Sequence, residues 1–261
     1  MTRPLVALLT DFGTRDWYVA ALKGVILSRC PEARLLDITH EVPPQDVIAG
    51  AFTLAAAAPW LPRGTVCVAV VDPGVGSDRP ILAARGDGRY FVGPDNGLLS
   101  LSLKQAAAWN AVRLTNRRYW LTDVSRTFQG RDIMAPAAAH LASGGRLASL
   151  GPALSRVKSL DVPVPERHGR VIRGHVVHID TFGNLITNLP ASTARGRGGM
   201  ASASCRYQRR PVRVVPSYAE GRPEELVALV NSLGLVELAI REGSAAWAHN
   251  AKRGDMVELV A

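Results

Sequence analysis

Asp72 stands where an unbroken apolar run, Val66-Cys67-Val68-Ala69-Val70-Val71, gives way to a glycine-rich loop, Pro73-Gly74-Val75-Gly76. A carboxylate at such a point can accept a proton from water or a hydroxyl, and Arg79, seven residues later, can fold back to pair with it. Asp11 repeats the arrangement, following the apolar run 5–9 through Thr10-Asp11-Phe12-Gly13. An equally weighted reading of Asp72 is an aspartate that caps its own loop. His175 and His178, three apart on one expected strand, face opposite sides, which argues against a shared metal. No cluster with metal-ligand spacing and no GxxxxGK phosphate loop occurs, so neither a metal nor a nucleoside triphosphate is implied.

Such carboxylates need a scaffold that gathers strand ends. The run 66–71, with no polar alternation, reads as a strand buried on both faces, as in the middle of a parallel sheet. Residues 17–28 carry Val19, Leu22, Val25 and Ile26 at helical spacing and stop before Pro31, and 35–38 is the next strand. Asp46 is the expected N-cap of an alanine-rich helix over 47–58, closed by Pro59. Strand–helix alternation with right-handed crossovers puts the strand ends on one edge, and with them Asp11, Asp37 and Asp72.

Past Arg79 the pattern changes. Short strands at 81–84 and 90–92 flank the tight-turn signal Gly86-Asp87-Gly88. Gly93-Pro94-Asp95-Asn96-Gly97 is a turn or a wall of the site, with the turn favoured by composition. Phe128-Gln129-Gly130-Arg131-Asp132 leads into a helix ending at His140, with Asp132 as its cap. The alternating prolines of Val162-Pro163-Val164-Pro165 mark a linker between residues 1–159 and 166–261. Beyond it helical spacing vanishes, and strands at 171–179, 185–188, 212–215, 226–230, 235–240 and 256–260 read as a small β-barrel or sandwich. The fold class is α/β: a mostly parallel N-terminal sheet flanked by helices, then a smaller barrel-like domain.

Composition narrows the partners. The net charge of +9, with Arg195, Arg197, Arg206, Arg209, Arg210 and Arg213 in one segment, raises a nucleic-acid reading. That segment offers a single aromatic, Tyr207, as a stacking surface, and nucleic acid is disfavoured. Cys30, Cys67 and Cys205 are widely spaced and odd in number, which argues against disulfides or zinc. No apolar run is long enough to span a membrane and no basic-then-apolar leader precedes Leu5, so the expected compartment is the cytoplasm.

Six motifs taken together resemble one family. They are Thr10-Asp11-Phe12-Gly13, Asp37-Ile38-Thr39-His40, Val71-Asp72-Pro73-Gly74-Val75-Gly76-Ser77, Gly93-Pro94-Asp95-Asn96-Gly97-Leu98-Leu99, Phe128-Gln129-Gly130-Arg131-Asp132 and Phe182-Gly183-Asn184-Leu185-Ile186-Thr187-Asn188. The family is that of the S-adenosyl-L-methionine hydroxide adenosyltransferases, relatives of the fluorinase and chlorinase enzymes. The resemblance implies hydrolysis of S-adenosyl-L-methionine to adenosine and L-methionine without an added cofactor. It also implies a homotrimer with sites between subunits.

Carried over by position, the resemblance gives Asp11 the ribose hydroxyls, Phe182 and Asn184 the adenine, and Asp180, Ser232 and Glu237 the methionine amino acid group. Asp72 and Arg79 match two of three hydrolytic residues. The third departs: Gln129 stands where the hydrolases carry histidine, which leaves as the alternative a protein that binds S-adenosyl-L-methionine or adenosine with little turnover. An acid at position 72 and the short connection from Arg79 to Tyr90 resemble the hydrolases rather than the halogenases.

Overall fold

The apolar residues of β1 (Leu5–Thr10) cannot all face one layer, because successive side chains on a strand point to opposite sides. Val6 and Leu8 join one core with Leu22 and Ile26 of α1 (Tyr18–Arg29), while Ala7 and Leu9 join another with Ala51 and Leu54 of α2 (Val47–Ala57). The sheet is thus covered on both faces, which is why its central strands carry no polar alternation. β1 pairs in parallel with β2 (Arg34–Thr39) and β3 (Val66–Val70). Asp46 caps α2, its carboxylate accepting from Ala49 N at 2.9 Å.

The computed structural model describes residues 3–194, 200 and 203–260, in two units, Met1–Leu160 and Asp161–Ala261. In the first unit β4 (Ile81–Gly86) and β5 (Arg89–Pro94) form a hairpin whose turn residues, Asp87 and Gly88, both have positive φ, as a two-residue hairpin turn requires. β5 runs parallel to β3, so β4 is antiparallel, as is its pairing with β6 (Trp109–Arg113) beyond α3 (Ser100–Gln105). A wide π-type turn, Gly130–Met134, continues into α4 (Ala135–Ala142), and β7 (Ala153–Leu154) ends the sheet in the order β2-β1-β3-β5-β4-β6-β7. Asp132 is not the expected helix cap. It is fully buried inside the wide turn, where its carboxylate accepts from Ser125 N at 2.8 Å and pairs with Arg131.

The second unit opens with β8 (Glu166–His168), β9 (Val171–Ile179), β10 (Leu185–Pro190), β11 (Ser204–Tyr207) and β12 (Arg210–Val214). It continues with β13 (Leu226–Val230), β14 (Leu235–Ile240), the short helix α5 (Ala245–Ala248) and β15 (Met256–Val260). Its strands close in the order β10-β14-β13-β12-β11-β15-β9 and back to β10, a seven-strand barrel rather than a sandwich, with β8 added beside β9. Closure works because β9 pairs with β15 along its first half and with β10 along its second. Arg195 and Arg197 lie outside the described residues, and Arg213 is engaged by Glu225 at 2.7 Å. Among the described residues no helix is long and apolar enough to cross a membrane.

Candidate active site

Thr10 and Val70 are register partners on neighbouring parallel strands, so the chain leaves the sheet at Asp11 and at Asp72 on the same carboxyl edge. Asp37 does not join them. It sits within β2, where its carboxylate accepts from Lys23 Nζ at 2.7 Å and faces His40. At the Asp72 edge, Arg79 folds back as the sequence allowed. Its Nε donates to Asp72 Oδ1 at 2.7 Å and its Nη2 donates to both Asp72 Oδ2 and Gln129 Oε1, the latter at 2.6 Å. The Asp72 and Arg79 side chains are only 5% and 10% exposed.

The loop between them is pinned from outside. Asn96 Nδ2 donates to Val71 O at 2.8 Å and Asp95 N donates to Pro80 O at 2.9 Å, so the Gly93-Pro94-Asp95-Asn96-Gly97 loop grips the chain just before Asp72 and just after Arg79. Gly76 has φ +82, and a Cβ there would lie 2.8 Å from Arg126 O, so only glycine lets this loop pass the segment that leads to Gln129. Phe12 and Phe128, next to Asp11 and Gln129 respectively, meet edge to face with centroids 5.8 Å apart and tie those two loops together.

The donor and acceptor roles at this cluster are fixed by chemistry. A guanidinium only donates, so Gln129 must present its oxygen to Arg79 and its NH2 away from it. The amide can therefore give a hydrogen bond to an oxygen held nearby but cannot take a proton. Asp11 has one oxygen committed, Oδ2 accepting from Gln45 N at 2.8 Å, and among the described residues Oδ1 is left for other donors.

The barrel carries two adjoining cavities of about 690 and 430 Å³ that share Asp180 and Tyr218. Phe182, Asn184 and Arg241 line the larger, and Ser232 and Glu237 the smaller. Asp180 also builds its own turn, accepting from Phe182 N, Asn184 N and Asn184 Nδ2 at 2.8–3.0 Å, while Phe182 stands exposed. Glu237 is buried, and both its oxygens are taken, by Tyr218 OH at 2.6 Å and by Asn231 Nδ2 at 3.1 Å. Burial raises the Glu237 carboxyl above the ordinary glutamate range against the pull of those two bonds, and burial together with Glu237 raises the Tyr218 hydroxyl. Cys67 and Cys205 are buried thiols pushed up to about 12, which removes them as nucleophiles.

Models of two domains match most of the chain: the SAM hydroxide adenosyltransferase N-terminal domain over residues 6–151 and its C-terminal domain over 174–258. The chain belongs to the SAM hydroxide adenosyltransferase family. It is 42% identical to a protein of Salinispora tropica named (R)-S-adenosyl-L-methionine hydrolase, across 99% of this chain and 98% of that one. A protein of the same name from Thermus thermophilus is 40% identical across 98% and 99%, and a fluorinase of an Actinoplanes species 29% identical across 96% and 95%. A solved protein of Thermotoga maritima superposes with TM-score 0.90 at 32% identity, covering 98% of this chain and all of the other.

Asp72 and Arg79, seven residues apart, are joined by Gln129, fifty residues further on, as one hydrogen-bonded group. Asp11 sits on the adjoining strand end, and Asp180, Phe182, Asn184, Ser232 and Glu237 gather at the barrel cavities. Sequence reasoning missed Asn96, Tyr218 and Arg241. Asn96 was visible in its motif but read as a turn residue, and nothing local distinguishes Tyr218 or Arg241. Among the described residues no three His, Cys, Asp or Glu side chains converge as a metal site.

Proposed function

We propose that the protein hydrolyses S-adenosyl-L-methionine, with water or hydroxide attacking the ribose 5′ carbon to give adenosine and L-methionine. The observation that carries this reading is the half-buried Asp72–Arg79–Gln129 group at the carboxyl edge of the sheet. The relatives named (R)-S-adenosyl-L-methionine hydrolase support it. The leaving group is a neutral thioether expelled from a sulfonium, so no general acid is needed, and the protein's task is to hold an oxygen nucleophile in line. Asp72 accepts the proton from water, Arg79 orients that carboxylate through two hydrogen bonds, and the Gln129 NH2 holds the oxygen as a donor. A carboxylate at this place also repels a halide, which favours water. No cofactor takes part.

Asp11 receives the ribose hydroxyls, Phe182 and Asn184 the adenine, and Asp180 and Ser232 the amino acid end, with Glu237 acting there through Tyr218 and Asn231. The working enzyme is a cytoplasmic homotrimer in which motifs of different subunits serve one site, a reading supported by the family resemblance. A second reading, binding without useful turnover, is favoured by the fixed amide of Gln129, which cannot titrate. Incubation with S-adenosyl-L-methionine and chromatography for adenosine separates the two. Adenosine at the no-enzyme background, with ligand still bound by calorimetry, leaves only the second.

A further inference from the structure

The motif Asp37-Ile38-Thr39-His40 has no part in the reaction as proposed, yet it ends in a histidine only 4% exposed. Its ring bridges two strands. Nδ1 lies 2.8 Å from Oγ1 of Thr10, itself fully buried at the end of β1. On the other side Nε2 is 3.1 Å from Asp37 Oδ1, at ion-pair distance but off the line of a good hydrogen bond, and Lys23 Nζ of α1 donates to Asp37 Oδ2 at 2.7 Å. Burial works to raise the Asp37 carboxyl, but the hydrogen bond from Lys23 and the facing His40 ring hold it below its ordinary value.

The chemistry of each group fixes the direction of donation. Lys23 only donates and a carboxylate only accepts, so the tautomer that suits the Asp37 side has its hydrogen on Nε2, with Nδ1 accepting from the Thr10 hydroxyl. Thr10 Oγ1 in turn accepts from Phe12 N at 3.3 Å. Backbone bonds run alongside: Gly13 N donates to His40 O at 2.8 Å and Val42 N to Thr10 O at 3.3 Å, while Gln45 N holds Asp11 Oδ2. Asp11 thus hangs between residues that are themselves fastened to 40–45, and its two chain neighbours are fixed through one buried hydroxyl.

We infer that His40 is a positioning residue: through Thr10 it sets the loop that presents Asp11 to the ribose hydroxyls, and Asp37 selects the imidazole tautomer that lets it do so. This rests on the ribose role proposed for Asp11. Outer partners of this kind work by locking the rotamer and tautomer of the group that meets the ligand.

The test is calorimetry with adenosine on the full chain. Thr10→Val keeps shape and strand preference but removes the hydroxyl, so Kd should rise about three- to tenfold, the worth of one ordinary hydrogen bond. Turnover at saturating S-adenosyl-L-methionine should fall by less than Kd rises, and Thr10→Ser should restore binding. Asp11→Ala runs in parallel. If Asp11→Ala weakens binding and Thr10→Val leaves Kd native, the positioning role is overturned alone. If Asp11→Ala leaves Kd native, the ribose assignment falls and this inference with it. Should Thr10→Val melt far below the native protein, Asp37→Asn decides, because its partly exposed amide can donate or accept and so frees the tautomer. A native Kd in that variant overturns the inference, and a raised one upholds it.

Discussion

Replacing Asp72 by asparagine puts the proposed chemistry and the structure under one test. The carboxylate accepts from Arg79 through both oxygens, with both side chains nearly buried. Asparagine has one oxygen and one NH2, so in either orientation an N–H faces an N–H of the guanidinium. The loss is one charge-assisted hydrogen bond, about 1.5–3 kcal/mol. Breaking a fully buried ion pair costs about 3–5 kcal/mol, but Gln129 remains an acceptor for Arg79, which keeps the expected cost near the low end, about 3 kcal/mol. For a unit of this size that corresponds to a Tm lower by about 6–12 °C. Turnover, having lost its proton acceptor, should fall by about 10²–10⁴. Affinity for adenosine should stay within about tenfold, or about 1.4 kcal/mol, since the ligand contacts are assigned elsewhere. Initial rates by adenosine chromatography, calorimetry and a thermal melt read the three quantities separately. Turnover within about threefold of native in the folded variant would refute Asp72 as the acceptor of the water proton.

Gln129→His should raise turnover and add a step to the pH–rate profile between about pH 5 and 8 that the native protein lacks; identical rates and profile shapes would remove position 129 from the chemistry. Glu237 has a carboxyl raised in the fold, so the fold binds its proton more tightly than the unfolded chain does, and stability is lost as pH rises from the ordinary value of 4.5 through the folded pKa. Relative to native protein, Glu237→Gln should therefore gain in Tm between pH 4.5 and 8; the mismatch of its amide with Asn231 is the same at every pH, and a flat difference would contradict the shift. A chain ending at Leu160 should fold, given its own two cores, yet bind no adenosine by calorimetry, and native-like binding would exclude the barrel from the site. Light scattering should give the mass of three chains for the full protein, and a monomer mass would end the trimer reading.

What the sequence disclosed was whatever a local pattern encodes. Val66 to Val71 announced a strand covered on both faces, and Asp46 announced a helix start, because each depends on residues within a turn or two. Asp72 with Arg79 was legible for the same reason, seven residues being within reach of one long side chain. Asp37 was misplaced at the rim because strand length and register, not the apolar run, decide how far a residue lies from the edge. β8 and β11 went unseen: the first is fully exposed, and the second turns only Cys205 and Tyr207 inward. Asn96 reaches Val71 across 25 residues and Tyr218 reaches Glu237 across 19, links between segments that no window of sequence contains.

The wide turn at Gly130–Met134 has a bearing on how such proteins diverge. Its closing bond runs from Ala135 N to Gly130 O, one residue longer than an α-helical bond, so the segment holds one residue more than a regular helix would. Gln129 sits just before this extra residue. Losing one codon within the turn would rewind it to α geometry with little change on either side, because the bonded ring would shed the one residue that makes it wide. Gln129 would keep its place against Arg79, and α4 with the core beneath it would stay where it is. Lineages can thus lose or gain a residue here while keeping the arginine's partner, and a gap placed before Gln129 instead of inside the turn would name the wrong residue.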